Sequence, residues 1–285
     1  MTLDEAFEAY RRQARGRHGR PPMGFSMIPK EFRADAHAVY VFARTTHDFA
    51  NEDFGTLGKK ERLQLLAHRE AEFGRCLKGE SADPEFATLR RTIESRRLPA
   101  DLFRELISAG RQDVEKLRYA DFAEVKEYCR KSANPIGRLI LNIFGCRDEE
   151  MLRQGDRIAC GFQLAHLWQR VGADLERDKI YLPQDEMENF GVDDAMLKER
   201  RFDEGILRLM QFQVRRTREV LDSPKRLCAA VDRRFRPAIR LAWLTATEML
   251  NKIENQGFDV LRKTCRLSKL DRVGLLPRAL IGGSG

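Results

Sequence analysis

Residues Cys160 to Pro183 read CGFQLAHLWQRVGADLERDKIYLP. Phe162, Leu164, Ala165, Leu167, Trp168 and Val171 recur with the 3.6-residue period of an α-helix. Gln163, Gln169, Arg170 and Asp174 are scattered among them, and Arg170 and Asp174, four apart, share a face. A buried polar group must find a partner or it costs stability. Polar side chains set into an otherwise apolar helix therefore point to a cavity with polar contents. Pro183 cannot continue a helix and is expected to close the pattern abruptly.

Working outward, the same helical period recurs along the chain. A charged amphipathic helix is expected over 3–15, then a loop from Gly16 to Met23 that holds Gly19, Pro21 and Pro22. Pro29 fits the first turn of a new helix, carried by Ala36, Val39, Tyr40, Phe42 and Ala43 into His47-Asp48-Phe49-Ala50-Asn51-Glu52, with Gly55 and Gly58 beyond. Further helices are expected over 60–77, from Asp83-Pro84 with Asp83 as N-cap, from Pro99, and over 121–145, where Pro135 should kink the helix. Helical patterns also cover 149–179, Asp193 to Leu221, 224–256 up to Gly257, and a shorter basic segment from Phe258 to Ile281. No strand alternation or repeat rises above noise, so the fold is read as all-α, with nine or ten helices around a central space. No linker-like shift in composition divides the chain, and one domain over 1–285 is expected, with an N-terminal helix and loop over 1–20 and a disordered tail over 282–285.

Charge and cysteine content narrow the function classes. Residues 215–285 hold 16 Lys and Arg against 7 Asp and Glu, so this last quarter carries the whole excess of a chain whose net charge is +8. Such a region suits an anionic membrane surface or a phosphorylated ligand, or simply a set of solvated helix faces. No basic motif interleaved with aromatics is present, and no nucleic-acid partner is expected. None of the six cysteines pairs at metal-site or redox spacing, and there is no apolar signal segment or run of membrane-spanning length. Free thiols and a cytoplasmic location, peripheral at a membrane surface if membrane-bound at all, are the expectation.

Several separated strings resemble one family in order and spacing, over roughly residues 20 to 280. Gln163-Leu-Ala, Trp168-Gln169, Asp174 and Tyr181-Leu-Pro resemble the second signature of the squalene/phytoene synthases, and the Trp-Gln pair is most similar to the HpnC-type, hydroxysqualene synthase branch. Tyr40, Phe42 and Arg44 fit the run before the family's first aspartate site. Tyr128, Ala133 and Gly137, within a string ending Ser132-Ala-Asn-Pro-Ile-Gly-Arg138, fit the family's central tyrosine string; Arg177 and Tyr181 fit the segment after the second site. Departures fall on the charged positions. The family places two aspartates four apart at each site; this chain has His47 and Asn51 at the first and Arg170 before Asp174 at the second, with Asp48 about 100° round the helix from His47. Phe25 stands where a small hydroxyl residue is expected.

The resemblance implies a single-domain isoprenoid-synthase-type helical bundle around a central cavity, in which Mg²⁺ on facing carboxylates bridges the oxygens of a prenyl diphosphate. It implies Tyr128 as the catalytic residue beside the reacting carbons, and Arg44, Gln163, Gln169, Arg170, Arg177 and Tyr181 as substrate-binding residues. Mg²⁺ wants carboxylate oxygen, so the degenerate set His47, Asp48, Asn51 and Asp174 beside cationic Arg170 predicts weak or absent metal binding. Arg170 is expected either to contact diphosphate or to pair with Asp174 and close the site. Two functions stay open. One is conversion of presqualene diphosphate to hydroxysqualene on the hopanoid route; the other is a catalytically silent binding or assembly protein. Tyr128 and Trp168 also have plain readings as core side chains.

Overall fold

The computed structural model describes residues 23–51, 57–221, 223–262 and 265–281. The expected helix over 3–15, most of the loop that follows it, Glu52, Gly55 and the tail over 282–285 lie outside them. Fourteen α-helices are present among the described residues, ten of them ten residues or longer, and no strand. The chain is all-α, as its periodicity required.

Two compact units divide the chain: residues 1–116 with 135–148, and residues 117–134 with 149–285. In the first, a 3-10 turn over Lys30–Phe32, introduced by Pro29, runs into α1 (Arg33–Asn51). Helices α2 (Lys59–Lys78), α3 (Pro84–Arg96) and α4 (Ala100–Glu115) all pack against α1, and α2 also packs against α3 and α4. Asp83 caps α3 as its position before Pro84 predicts, accepting from Glu85 N at 2.8 Å. The core is aromatic: Phe42 lies 5.1 Å from Phe103 and 5.4 Å from Phe73, ring centre to ring centre. Fully buried Arg69 is set into it, its guanidinium 4.4 Å from the Phe42 ring. It donates to Phe42 O at 2.9 Å and to Thr46 Oγ1 at 2.8 Å, and pairs with Glu85 at 2.6 Å. These partners are what make a cation tolerable in an apolar core. Helix α6 (Asn134–Ile143) completes the unit.

The second unit contains α5 (Phe122–Ser132), α7 (Glu149–Gln169) and a short α8 (Val171–Asp174). It continues with α9 (Gln184–Asn189), α10 (Asp194–Lys198), α11 (Glu204–Val220), α12 (Lys225–Ala230), α13 (Arg236–Asn255) and α14 (Lys269–Ile281). Helix α7 packs on α5, α11, α12 and α13, and α14 packs on α13. Asp121, Asp193 and Asp203 each accept a backbone N–H at the start of the following helix, at 2.9, 2.8 and 3.1 Å.

Three expected helices are broken, and 224–256, read as more than one helix, is divided as expected. The pattern over 121–145 is interrupted at Ala133, one residue before the Asn134-Pro135 start of α6. The pattern from Asp193 to Leu221 is split by a turn in which Arg200 has φ 53, and 224–256 is split at 231–235. The most consequential correction concerns Cys160 to Pro183. Helix α7 stops at Gln169, and a 3-10 turn over Leu175–Arg177 follows α8. Pro183 therefore does not close a helix; it precedes α9 and forms the one isolated β-bridge among the described residues, with Tyr119. All six cysteines are free. No helix among the described residues is long and apolar enough to cross a membrane.

Candidate functional site

The first motif lies on the last turns of α1. Asp48 faces the interior with its side chain 2% exposed, and Arg44, one turn earlier, pairs with it at 2.7 Å through Nε. His47 is half exposed, with Nδ1 3.6 Å from the same Asp48 oxygen. Asn51 donates its amide to Asp113 Oδ2 on α4 at 3.0 Å. An aspartate at position 51 would instead place two carboxylates against each other. Upstream on α1, Tyr40 packs edge-on to Phe25 at 5.5 Å, and burial raises the Tyr40 hydroxyl pKa above its usual value. Phe25 thus fills an aromatic cluster where the resemblance led one to expect a hydroxyl.

The second motif is built on a broken helix. Arg170 has φ −105 and ψ 0, outside helical geometry, and starts a new turn by accepting from Ala173 N and Asp174 N at 2.8 and 2.9 Å. The cause is a backbone crossing. Gly172 N donates to Val260 O at 3.2 Å, and a Cβ at Gly172 would stand 2.6 Å from Leu261 O and 2.7 Å from Val260 O. Arg200 ties the crossing by donating to both Gly172 O, at 3.1 Å, and Leu261 O. On this turn Arg170 reaches Asp174 at 3.0 Å, the pairing that their spacing allowed. Asp174 is buried, and a third of the Arg170 side chain is exposed.

The other candidates divide into grouped and separate residues. Tyr128 on α5 and Tyr181 on the segment before α9 are buried with ring centres 5.3 Å apart, and Tyr119 joins them at 5.9 and 5.3 Å. Lys179 is also buried, its ammonium 5.1 Å from the Tyr181 ring. The segment is fixed at its start by Asp178, at φ 55, which pairs with Lys198 at 2.9 Å and Arg118 at 2.8 Å. The Lys198 and then the Arg118 hydrogen bonds lower the Asp178 carboxyl pKa to about 2. Gln169 is buried with its amide 3.7 Å from Met249 Sδ, Gln163 is half-buried on α7, and Arg177 is exposed on the 3-10 turn. Trp168 is fully buried and donates Nε1–H to Thr217 Oγ1 at 2.8 Å, which supports its reading as a core side chain.

Gly172, Arg200, Val260, Arg118 and Tyr119 set the geometry of the second motif and were not singled out from the sequence. Gly172 was the readable signal, a glycine inside a helical pattern, where it costs about 1 kcal/mol against alanine and lowers the expectation of an unbroken helix.

The family model for squalene/phytoene synthase matches residues 21–271. The chain belongs to the squalene/phytoene synthase family. It is 33% identical to a hydroxysqualene synthase of Rhodopseudomonas palustris over 196 residues, covering 68% of this chain and 65% of that protein. It is 27% identical to a phytoene synthase of Arthrospira platensis, covering 90% and 86% of the two chains. Its fold is similar to that of squalene synthase HpnC from Alicyclobacillus acidocaldarius, with TM-score 0.79, 32% identity, and 90% and 95% of the two chains covered. The chain is thus a family member of isoprenoid biosynthesis, a family that processes prenyl diphosphates with Mg²⁺.

The described motif donors do not fit Mg²⁺. Asp48 and Asp174 each carry an arginine, Asn51 is a neutral amide already bonded to Asp113, and His47 is a nitrogen donor where a hard cation prefers oxygen. Among the described residues no cluster of three His, Cys, Asp or Glu side chains is placed to hold a metal ion.

Proposed function

We propose that this chain is a prenyl-diphosphate-binding member of the squalene/phytoene synthase family that has lost the family's metal-assisted ionisation. The carrying observation is the pair of ion pairs, Arg44–Asp48 at 2.7 Å and Arg170–Asp174 at 3.0 Å, which engage the two motif aspartates among the described residues. Breaking the carbon–oxygen bond of a prenyl diphosphate requires strong neutralisation of the departing anion. An arginine already paired to a carboxylate supplies little net charge for that. It can still bind phosphate, because a guanidinium carries five N–H donors and each pair uses few of them. Arg44 and Arg170 keep about a third of their side-chain surface exposed. In this reading each is a candidate phosphate contact in its own unit, and the apolar chain of the ligand supplies the rest of the affinity. Gln163, Gln169, Tyr181 and exposed Arg177 are kept as candidate ligand contacts.

A second reading, conversion of presqualene diphosphate to hydroxysqualene, is favoured by the likeness to the hydroxysqualene synthase and by the packing of Tyr128 against Tyr119 and Tyr181. The diphosphate would leave with the bonding electron pair. Water oxygen would add to the carbocation and lose its proton, with the Tyr128 ring face beside the positive charge.

One experiment separates them. Purified protein is titrated with presqualene diphosphate, then incubated with it and Mg²⁺ while hydroxysqualene and released diphosphate are measured. Saturable binding without product is expected, weakened in Arg44→Met and Arg170→Met. Turnover that Tyr128→Leu abolishes would overturn the silent reading in favour of the enzyme. Absence of binding would overturn both.

A further inference from the structure

Six large apolar side chains are exposed among the described residues, and four of them, Leu270, Val273, Leu280 and Ile281, lie on the single helix α14. Leu270 is 84% and Ile281 81% exposed. With Pro277 they fall at i, i+3, i+7, i+10 and i+11, which makes one continuous stripe. The opposite face, with Leu275 and Ala279, is buried where α14 packs on α13. The exposed stripe is therefore a second apolar face, beyond the one the fold uses.

Charge indicates what covers it. At about 100° per residue, Lys269 and Arg278 flank the stripe on its two sides, and both are exposed, as is Arg272. The one acid on the helix, Asp271, is engaged by Lys252 at 2.8 Å and by Ser268 N at 2.6 Å. The outward charge of α14 is thus positive, within a C-terminal quarter where 16 Lys and Arg meet 7 Asp and Glu. An apolar stripe bordered by cations is the pattern of a helix lying in a bilayer interface, with its apolar side chains in the acyl boundary and its cations at the headgroups. The helix is too short and too charged to cross.

We propose that α14 docks this protein on the surface of an anionic lipid bilayer, with Leu270, Val273, Pro277, Leu280 and Ile281 entering the interface and Lys269 and Arg278 meeting lipid phosphates. This inference stands apart from the ligand reading above.

The full chain is sedimented with vesicles of phosphatidylcholine alone, and with vesicles containing about a third phosphatidylglycerol. Retention on the anionic vesicles is expected. It falls about tenfold or more in Leu270→Asp/Ile281→Asp, and about fivefold for each of Lys269→Gln and Arg278→Gln. The milder Val273→Ser also weakens retention, and all variants keep the wild-type melting temperature because the altered atoms face solvent. Equal retention of wild type and the double aspartate variant would overturn the proposal, as would equal retention on the two vesicle types. So would a concentration-dependent dimer in light scattering that the double variant abolishes while vesicles retain nothing. In that case a second copy of the chain covers the stripe.

Discussion

The two motif segments neutralise their surviving aspartate in the same way on different backbones. On α1 the helix runs unbroken through Arg44 and Asp48, and Asn51, one turn on, reaches the neighbouring helix through Asp113. At Arg170 and Asp174 the helix is interrupted, and the pair sits on a separate turn held by the backbone of Val260 and Leu261. The first motif is supported by side chains, the second by main chain. A charge pattern set by spacing can therefore survive a change in the backbone beneath it. The two motifs should accordingly fail in different ways when their supports are altered.

The largest effect is expected at Arg44. Arg44→Met removes the guanidinium that pairs with buried Asp48, and breaking a buried ion pair from one side costs about 3 kcal/mol. In thermal melting that is a fall of roughly 5 °C for a chain of this size. Arg44→Met/Asp48→Leu removes both charges and should recover to within about 1 kcal/mol of wild type. Arg170→Met should cost less, about 2 kcal/mol, because Asp174 is less completely enclosed than Asp48. Equal losses at both sites would remove the distinction in burial.

Gly172→Ala comes next, and it acts only on the second motif. The added methyl meets two carbonyl oxygens under 3 Å away rather than the end of a flexible side chain, so α8 or the 260–261 backbone must move. A loss of about 2–3 kcal/mol is expected. A melting temperature unchanged by the substitution would show that the backbone crossing does not hold the turn.

These supports mark where sequence reading succeeded and where it ran out. The all-α fold, the Asp83 cap and the Arg170–Asp174 pairing were legible because each depends on residues a few positions apart. The helix break at Arg170 was not, because its cause lies about ninety residues downstream in Val260 and Leu261, and a helical period cannot report a tertiary hydrogen bond. Tyr128 and Tyr181 could be nominated from motif strings, but Tyr119, which packs against both, lies in no such string. Arg69 was passed over for a related reason: on an amphipathic helix an arginine reads as surface, and only the aromatic cluster and Glu85 reveal it as core.

A charge reversal tests whether the second motif has lost metal binding through its residues or through its backbone. Arg170→Asp restores two carboxylates four apart. Without Mg²⁺ it should melt below wild type, since like charges on one face repel. If the turn still presents both carboxylates to one ion, millimolar Mg²⁺ should return about 1 kcal/mol to the variant and nothing to wild type. Adding His47→Asp and Asn51→Asp applies the same test to the first motif, where Asp113 beside position 51 adds a further repulsion for the metal to offset. If Mg²⁺ stabilised none of these variants, loss of carboxylates alone would not explain the absence of a metal site.

The smallest effect is expected at Gly110, the counterpart of Gly172 under the first motif. A Cβ there would stand 3.2 Å from Leu66 Cδ2 and 3.3 Å from Thr46 Cγ2, both side-chain carbons that can give by a few tenths of an ångström. Alanine also gains up to about 1 kcal/mol over glycine inside a helix, and Gly110 lies within α4. Gain and crowding should nearly cancel, leaving Gly110→Ala within about 1 kcal/mol of wild type by thermal melting. A loss as large as that of Gly172→Ala would mean that α1 is gripped as tightly as the broken turn, and the contrast between a motif held by side chains and one held by main chain would fail.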